Sequence, residues 1–436
     1  MRRRLSVAAA ATAAALLAPA PAGAHATLVE ATPATQSQVR DAPTEVRLGF
    51  TEPVTVAPGA IQVLGEDGTV LSGAASVSAD GRLVTAPARG LRSGSWYTVR
   101  WRVTGTDGHS PAGVFTFGVG VAPPPPTEAA GARGTTWRDD VARWALFAAL
   151  ALLVGPLTVR LVVLRGEIPP ALERRFHLLT TVAAFAVIDV GIVAFLVRAS
   201  NALQLPLGDL LYGDLQPFAE KTRFGVAFLV MTVGFSLVAA LLSLAWVFDR
   251  LDLRKPALVL SALLASGLPL SGHQATEPNA SLASEVADWT HLLAACVWVG
   301  GLVTLAFVVW PCAPTLRARA FLGFSRLAVW LVGAMVLAGA YLALVRLPEL
   351  ADLWQTGYGR LLLLKLAIVS LALAWGGLHH VVVRPRLASG SDPRVRPSLV
   401  GETAVAAAVL LAAAALTNAS PPAVDPVSPP AAAPSR

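Results

Sequence analysis

The sequence predicts two architectures in series. A secreted all-β Greek-key sandwich domain (Ig-like or cupredoxin-like) comes first, and an all-α polytopic membrane bundle of about eight transmembrane helices follows. Three observations predict this. Residues 1–24 have the layout of a secretory signal. Residues 25–121 alternate short β-rich runs with turn residues. From residue 139 onward apolar stretches of bilayer length recur, and the 436-residue chain is 55% hydrophobic and only 14% charged, against about a quarter charged in soluble domains.

At the N-terminus, Arg2, Arg3 and Arg4 make a positive n-region, Leu5 to Leu17 a short apolar core, and Ala22-Gly23-Ala24 a small-residue cleavage site. The apolar run is too short for an uncleaved anchor. Cleavage after Ala24 makes His25 the first mature residue. Strand-like runs follow at Glu45–Phe50, Ala60–Leu64, Thr69–Leu71, Arg82–Ala86, Ser95–Val103 and Val114–Val121. Turn signals separate them, among them Glu66-Asp67-Gly68, Ala79-Asp80-Gly81 and Asp107-Gly108. In Ser95–Val103, Tyr97, Val99 and Trp101 fall on one face and Trp96 and Thr98 on the other. Such spacing over some hundred residues suggests a sandwich. The linker, 122–138, contains Pro123–Pro126 and is expected to be extended and semi-rigid.

The membrane domain is expected over 139–418, with apolar stretches at about 141–164, 178–199, 222–248, 256–272, 289–311, 321–345, 360–383 and 399–417. The fourth is the shortest. A Pro/Ala-rich tail, 419–436, is expected to be disordered. If the N-terminal domain is secreted, the inner loops hold Arg165, Arg174, Arg175, Arg250, Arg254, Lys255, Arg317, Arg319, Arg384, Arg386, Arg394 and Arg396, whereas the outer loop His273–Asp288 holds no Lys or Arg. This satisfies the positive-inside rule and places both termini outside. The expected location is the cell membrane, multi-pass, with the N-terminal domain extracytoplasmic.

The net charge of +7 does not point to nucleic acid, because the basic residues sit in short runs between apolar stretches. Cys296 and Cys312, the two cysteines, fall in or beside those stretches and give no extracellular disulfide framework. No Walker motif or Asp-Lys-Thr-Gly motif is present, so direct drive by ATP is not expected.

His25, as a new N-terminus, offers an α-amine and an imidazole to one metal. The amine, with a pKa of about 8, loses its proton to a metal at neutral pH. Asp107 and His109 are two residues apart, so extended backbone points both to one face, although Asp107-Gly108-His109 is also an ordinary turn sequence. Nitrogen and oxygen donors together suit tetragonal Cu(II). His25 to Ala34 (HATLVEATPA) and Trp101 to Phe117 (WRVTGTDGHSPAGVFTF) resemble the opening and closing segments of CopC-type copper-binding proteins. That resemblance implies a Greek-key fold that holds Cu(II) through His25, Asp107 and His109. The domain has no Met and no Cys, so the resemblance implies a Cu(II)-only version.

The membrane part resembles the CopD family, in the domain order of YcnJ-like CopC–CopD fusions, proteins of copper resistance or uptake. The residues that carry this are Ser271-Gly272-His273, Asp288 to Gly301 (DWTHLLAACVWVGG), Phe324 to Ala328 and Gly359 to Lys365. His273 ends the fourth span and His291 opens the fifth, at similar depth, and Asp288 lies one turn before His291, where it can orient the ring. Interfacial histidines bonded to backbone are the alternative. Cys296 is either packing or a thiol deeper in a copper path. Asp189, mid-span, is costly unless paired with a cation or relaying protons. Lys365 lies about two turns inside its span. His379 and His380 end the seventh span as interfacial residues or as an exit site. Copper is thus expected as cargo of the β domain and a candidate in the membrane domain, with the lipid bilayer as surroundings.

Four function classes follow. The leading one captures Cu(II) outside and passes it through the membrane for import; the second sequesters copper without transport. The third is a copper polysaccharide monooxygenase built on an N-terminal histidine brace, where Asp107 crowds the position for oxygen, so no enzyme is expected. The fourth uses the membrane histidines as haem ligands in electron transfer.

Overall fold

The computed structural model describes residues 28–105, 112–126, 137–203, 223–270, 281–347, 349–390 and 395–419, without the side chains of 201–203, 223, 224, 269 and 270. The chain divides into two compact units, one holding the strands and one the helices.

In the first unit, strands β1 (Leu28–Thr32), β3 (Glu45–Phe50), β7 (Leu83–Pro87) and β6 (Ser76–Val77) form a sheet in the order β1-β3-β7-β6. A second sheet holds β2 (Ser37–Val39), β10 (Ala112–Val119), β8 (Ser95–Arg102) and β5 (Ile61–Leu64), in the order β2-β10-β8-β5. A separate pair joins β4 (Val54–Thr55) to β9 (Thr104–Gly105). All pairings are antiparallel except β2 with β10. The alternation read from the sequence holds: Tyr97, Val99 and Trp101 join Val46, Leu48, Phe50, Phe115 and Phe117 in one buried core. Thr98 and Thr116, on the opposite face, are buried too. There the start of the linker lies back on the sheet, with the Thr116 hydroxyl donating to Pro124 O. The expected strand Thr69–Leu71 is only an isolated bridge, Leu64 with Val70. The Thr69 hydroxyl and amide both donate to Asp67, which tightens a turn and holds that carboxyl below its usual range.

The helices of the second unit are α1 (Trp137–Thr158), α2 (Pro170–Leu203), α3 (Arg223–Val247), α4 (Arg254–Leu264), α5 (Gly267–Leu270), α6 (Leu282–Val303), α7 (Arg317–Arg346), α8 (Asp352–Gln355), α9 (Gly357–Leu378) and α10 (Arg396–Asn418). π-Helical segments extend α1 over Val159–Val163, α6 over Thr304–Val309 and α9 over His379–Val383. Among the described residues seven helices, α1, α2, α3, α6, α7, α9 and α10, are long and apolar enough to cross a membrane. The fourth expected span, 256–272, is instead the broken pair α4–α5. It runs antiparallel to α3, since Leu264 packs over Gly234 and Met231 against Gly267. Pro269, which has no N–H to return to residue 265, and Gly267 account for the break.

α1 and α6 cross where Gly155 meets Gly300, and a side chain on either would collide with the other's backbone. Small residues at such a crossing let apolar helices approach closely. Lipid is the natural solvent for the outward face of α7, where Trp330 and Leu344 are each 80% exposed. The face on which α1 begins is here the proximal face. On the distal face Glu173 takes Arg160 at 2.9 Å and the guanidinium of Arg254. Arg254, read from the sequence as a loop charge, is only 2% exposed; its partner Glu173 pins the ends of α1, α2 and α4 together.

Candidate functional site

The expected ligands His25, Asp107 and His109 lie outside the described residues. The described chain on either side of them converges at one end of the sandwich. Leu28 pairs with Phe50, whose ring meets Trp101 edge-on at 5.4 Å. Trp101 pairs with Gly113 and covers it so closely that a Cβ there would sit 2.5 Å from the indole. A few residues past Phe50, Val54 pairs with Gly105. His25 precedes Leu28 by three residues, Asp107 follows Gly105 by two and His109 precedes Ala112 by three. At about 3.5 Å per residue, those tethers reach roughly 7–10 Å. Chain length allows the three donors to meet.

In the helical unit a cavity of 440 Å³ lies among α1, α6, α7, α9 and α10, lined by Arg143, Asp288, His291, Arg346, Tyr358 and Lys365 on an otherwise mainly apolar wall. These charged groups share the proximal half: Arg143 is six residues into α1, His291 nine into α6 and Lys365 eight into α9, depths of roughly 9–14 Å at 1.5 Å per residue. Asp288 does not orient His291 as expected; it pairs with Arg346 at 2.5 Å. The ring is held instead by the backbone, Nδ1 lying 3.0 Å from Met335 O. A carbonyl only accepts, so Nδ1 carries the proton and the neutral ring leaves Nε2 with its lone pair. Gly339 makes room, since a Cβ there would approach the ring to 3.1 Å.

His379 sits in the π-helical segment that extends α9, with both ring nitrogens engaged. Nδ1 is 2.8 Å from Glu402 Oε2 and Nε2 is 2.7 Å from Ser398 Oγ, which also accepts from Trp375 Nε1 at 2.9 Å. An indole N–H only donates, so Trp375 donates to Ser398 and the Ser398 hydroxyl can donate onward to His379 Nε2, while Glu402 Oε2 lies beside Nδ1 without hydrogen-bond alignment. Both His379 and Glu402 are buried. His380 turns outward to Arg384 Nη1 at 3.0 Å, so the adjacent histidines do not share a site.

Cys296 is fully buried between α1 and α6, its Sγ 3.9 Å from Phe147 O, and acts as packing. Asp189 is exposed on the outer face of α2 and has no hydrogen bond or ion pair among the described residues. His273 lies outside the described residues. Among those described, no three His, Cys, Asp or Glu side chains converge to hold a metal.

Three family profiles match the chain. The CopC domain covers residues 28–120, the copper resistance protein D-like N-terminal domain 136–283, and copper resistance protein D 318–416. The chain is a CopC–CopD fusion. It is similar to "Copper transport protein CutJ" of Bacillus subtilis (strain 168), 25% identical over 416 residues, which are 92% of this chain and 75% of that protein. It is also similar to "Copper resistance protein D" of Pseudomonas syringae pv. tomato, 29% identical over 268 residues, 56% of this chain and 81% of that one. Solved relatives include CopC from Methylosinus trichosporium OB3b, 33% identical with TM-score 0.20, covering 22% of this chain and 93% of that chain. Another is PcoC, a methionine-rich copper resistance protein from Escherichia coli, 26% identical with TM-score 0.20, covering 22% and 99%.

The fusion is therefore a multi-pass membrane protein of the copper transport and resistance family. The segment that holds Asp288, His291 and Cys296 falls between the two CopD-type matches. Sequence reasoning missed Arg143, Arg346, Ser398 and Glu402. The signal for Arg143 and Glu402 was available, since each is an ionisable residue within an apolar span.

Proposed function

We propose that the β domain of the fusion captures Cu(II) outside the cell and passes it to the helical bundle for import. Cleavage after Ala24 frees the His25 amine, which binds the ion with its own imidazole, Asp107 and His109. The proximal face is then extracytoplasmic. The observation that carries the membrane half is His291. Its Nδ1–H is committed to Met335 O, which leaves Nε2 as a fixed, unprotonated ligand in a cavity of the proximal half. A metal-binding histidine is commonly oriented by such a backbone carbonyl.

Two experiments test the reading. The full chain processed to begin at His25 is expected to bind one Cu(II) at the β domain, and the same chain with one added Gly before His25 at least tenfold more weakly. Equal affinity would remove the amine chelate. His291→Ala is expected to abolish copper accumulation by cells while leaving that Cu(II) binding intact; normal accumulation would remove His291 from the path. One observation favours a second reading, sequestration without transport: Arg143, Arg346 and Lys365 outnumber Asp288 around the cavity and oppose a bare cation. Cell copper equal with and without the protein would select it.

A further inference from the structure

The same cavity has an unbalanced charge, and the imbalance does not depend on whether His291 meets copper. Of the four ionic side chains on its wall, Asp288 and Arg346 neutralise one another at 2.5 Å. Arg143 from α1 and Lys365 from α9 remain, and neither makes a hydrogen bond or ion pair among the described residues. Two cations facing an apolar cavity inside a membrane bundle carry a desolvation cost that only a counter-charge offsets. Asp139 and Asp140, within about one turn of Arg143 on α1 but not on the cavity wall, offset part of its charge, and Asp140 also accepts from Asn418. Among the described residues the wall itself carries no carboxylate besides Asp288, so an anionic occupant complements the charge that remains.

The walls indicate which occupant. Most of the lining is aliphatic, including Leu362, Val369 and Leu410, which suits hydrocarbon rather than a hydrated inorganic ion. The cavity is also open sideways. α7 packs on α6 and α9 packs on α10, and α7 and α9 have no broad contact with each other. Val336 of α7 and Leu366 of α9, which line the cavity between these helices, are 52% and 48% exposed, so this wall is not sealed by packing. A molecule lying half in the bilayer reaches Lys365 through that gap. Arg143 and Lys365 stand at similar depth, about 9 and 12 Å from the proximal ends of their helices at 1.5 Å per residue.

We propose that the cavity binds one anionic phospholipid, its phosphate against Lys365 and Arg143 and an acyl chain along the apolar wall, leaving between α7 and α9. A bound phosphate lowers the net positive charge of the cavity, whatever else passes through it.

The test uses the full-length protein in detergent, exposed to equal amounts of dioleoyl phosphatidylglycerol and dioleoyl phosphatidylcholine and read by native mass spectrometry. The expected result is a single tightly retained phosphatidylglycerol, preferred at least tenfold over phosphatidylcholine. The paired substitutions Arg143→Gln and Lys365→Gln are expected to abolish this preference, and Lys365→Arg alone to keep it, which separates lost charge from lost folding. Equal retention of the two lipids by the unaltered protein would overturn the proposal. So would an unchanged preference in the Arg143→Gln, Lys365→Gln protein, which would assign the lipid to the basic distal loops. Displacement of the retained lipid by millimolar citrate or inorganic phosphate would overturn it as well, in favour of a site for free anions. Copper enters none of these measurements, so their failure and the failure of the import reading are distinguishable.

Discussion

Replacing Glu402 by Ala removes the carboxylate that lies 2.8 Å from His379 Nδ1 in a buried site. Removing one partner of a buried ion pair costs about 3 kcal/mol or more, while Glu402→Gln keeps a polar group beside the ring and should cost about 1 kcal/mol. The thermal stability of the purified full chain is therefore expected to fall much further for Glu402→Ala than for Glu402→Gln. Equal losses would mean that the pair 2.8 Å apart contributes only packing. The pair also shows where reading the sequence stops. His379 was legible as a polar residue at the end of a span, and Glu402 stood out as a carboxylate within an apolar run. Their meeting was not legible, because it depends on how α10 packs on α9. His291 gives the same lesson. Its place near the start of a span was readable, but the partner that fixes its tautomer is a backbone carbonyl 44 residues later, which no side-chain pattern reveals. Asp288 one turn away looked the better partner and is taken by Arg346 instead.

Elements were legible in proportion to the apolar area they bury. The long strands β3, β8 and β10 and the seven long helices carry a period or a run that only one structure satisfies. β4, β6 and β9 are each two residues long and exist through their partners, so no local pattern announces them. The fourth span was legible as apolar but not as broken, although Gly267 and Pro269 were there to be read. Packing between elements yields a sharper test. Gly300 sits against the backbone of α1, whereas Gly333 on α7 has nothing within 4 Å of where its Cβ would be. Gly300→Leu is expected to force α1 and α6 apart and to abolish the monodisperse peak in size-exclusion chromatography. Gly333→Leu, which adds an apolar side chain to open surface, is expected to leave that peak unchanged. If both variants behave alike, the close crossing of α1 and α6 is not what holds the bundle.

For the whole helical unit, the parity of crossings follows from one hydrogen bond. Asn418 Nδ2, at the end of α10, donates to Asp140 Oδ1 at the start of α1 over 2.7 Å, so the chain enters and leaves the bundle on the same face. The seven long helices alone are an odd number and would put the two ends on opposite faces. The broken pair α4–α5 must therefore make the remaining crossing. Its start at Arg254 is tied to Glu173 on the distal face, and it climbs beside α3 until Gly267 meets Met231, eight residues from the beginning of that helix. The basic residues agree, since Arg160, Arg165, Arg254, Arg317 and Arg319 all gather on the distal face, as a cytoplasmic side requires. If the β domain is extracytoplasmic, as proposed, the C-terminus lies outside as well. A protease-cleavable tag after Arg436 is expected to be removed from intact cells, and the same tag inserted after Asp249, between α3 and α4, is expected to survive until the cells are opened. A protected C-terminal tag beside an accessible β domain would mean an odd number of crossings. In that case α4–α5 folds back to the distal face, and the hydrogen bond between Asp140 and Asn418 does not form in the membrane.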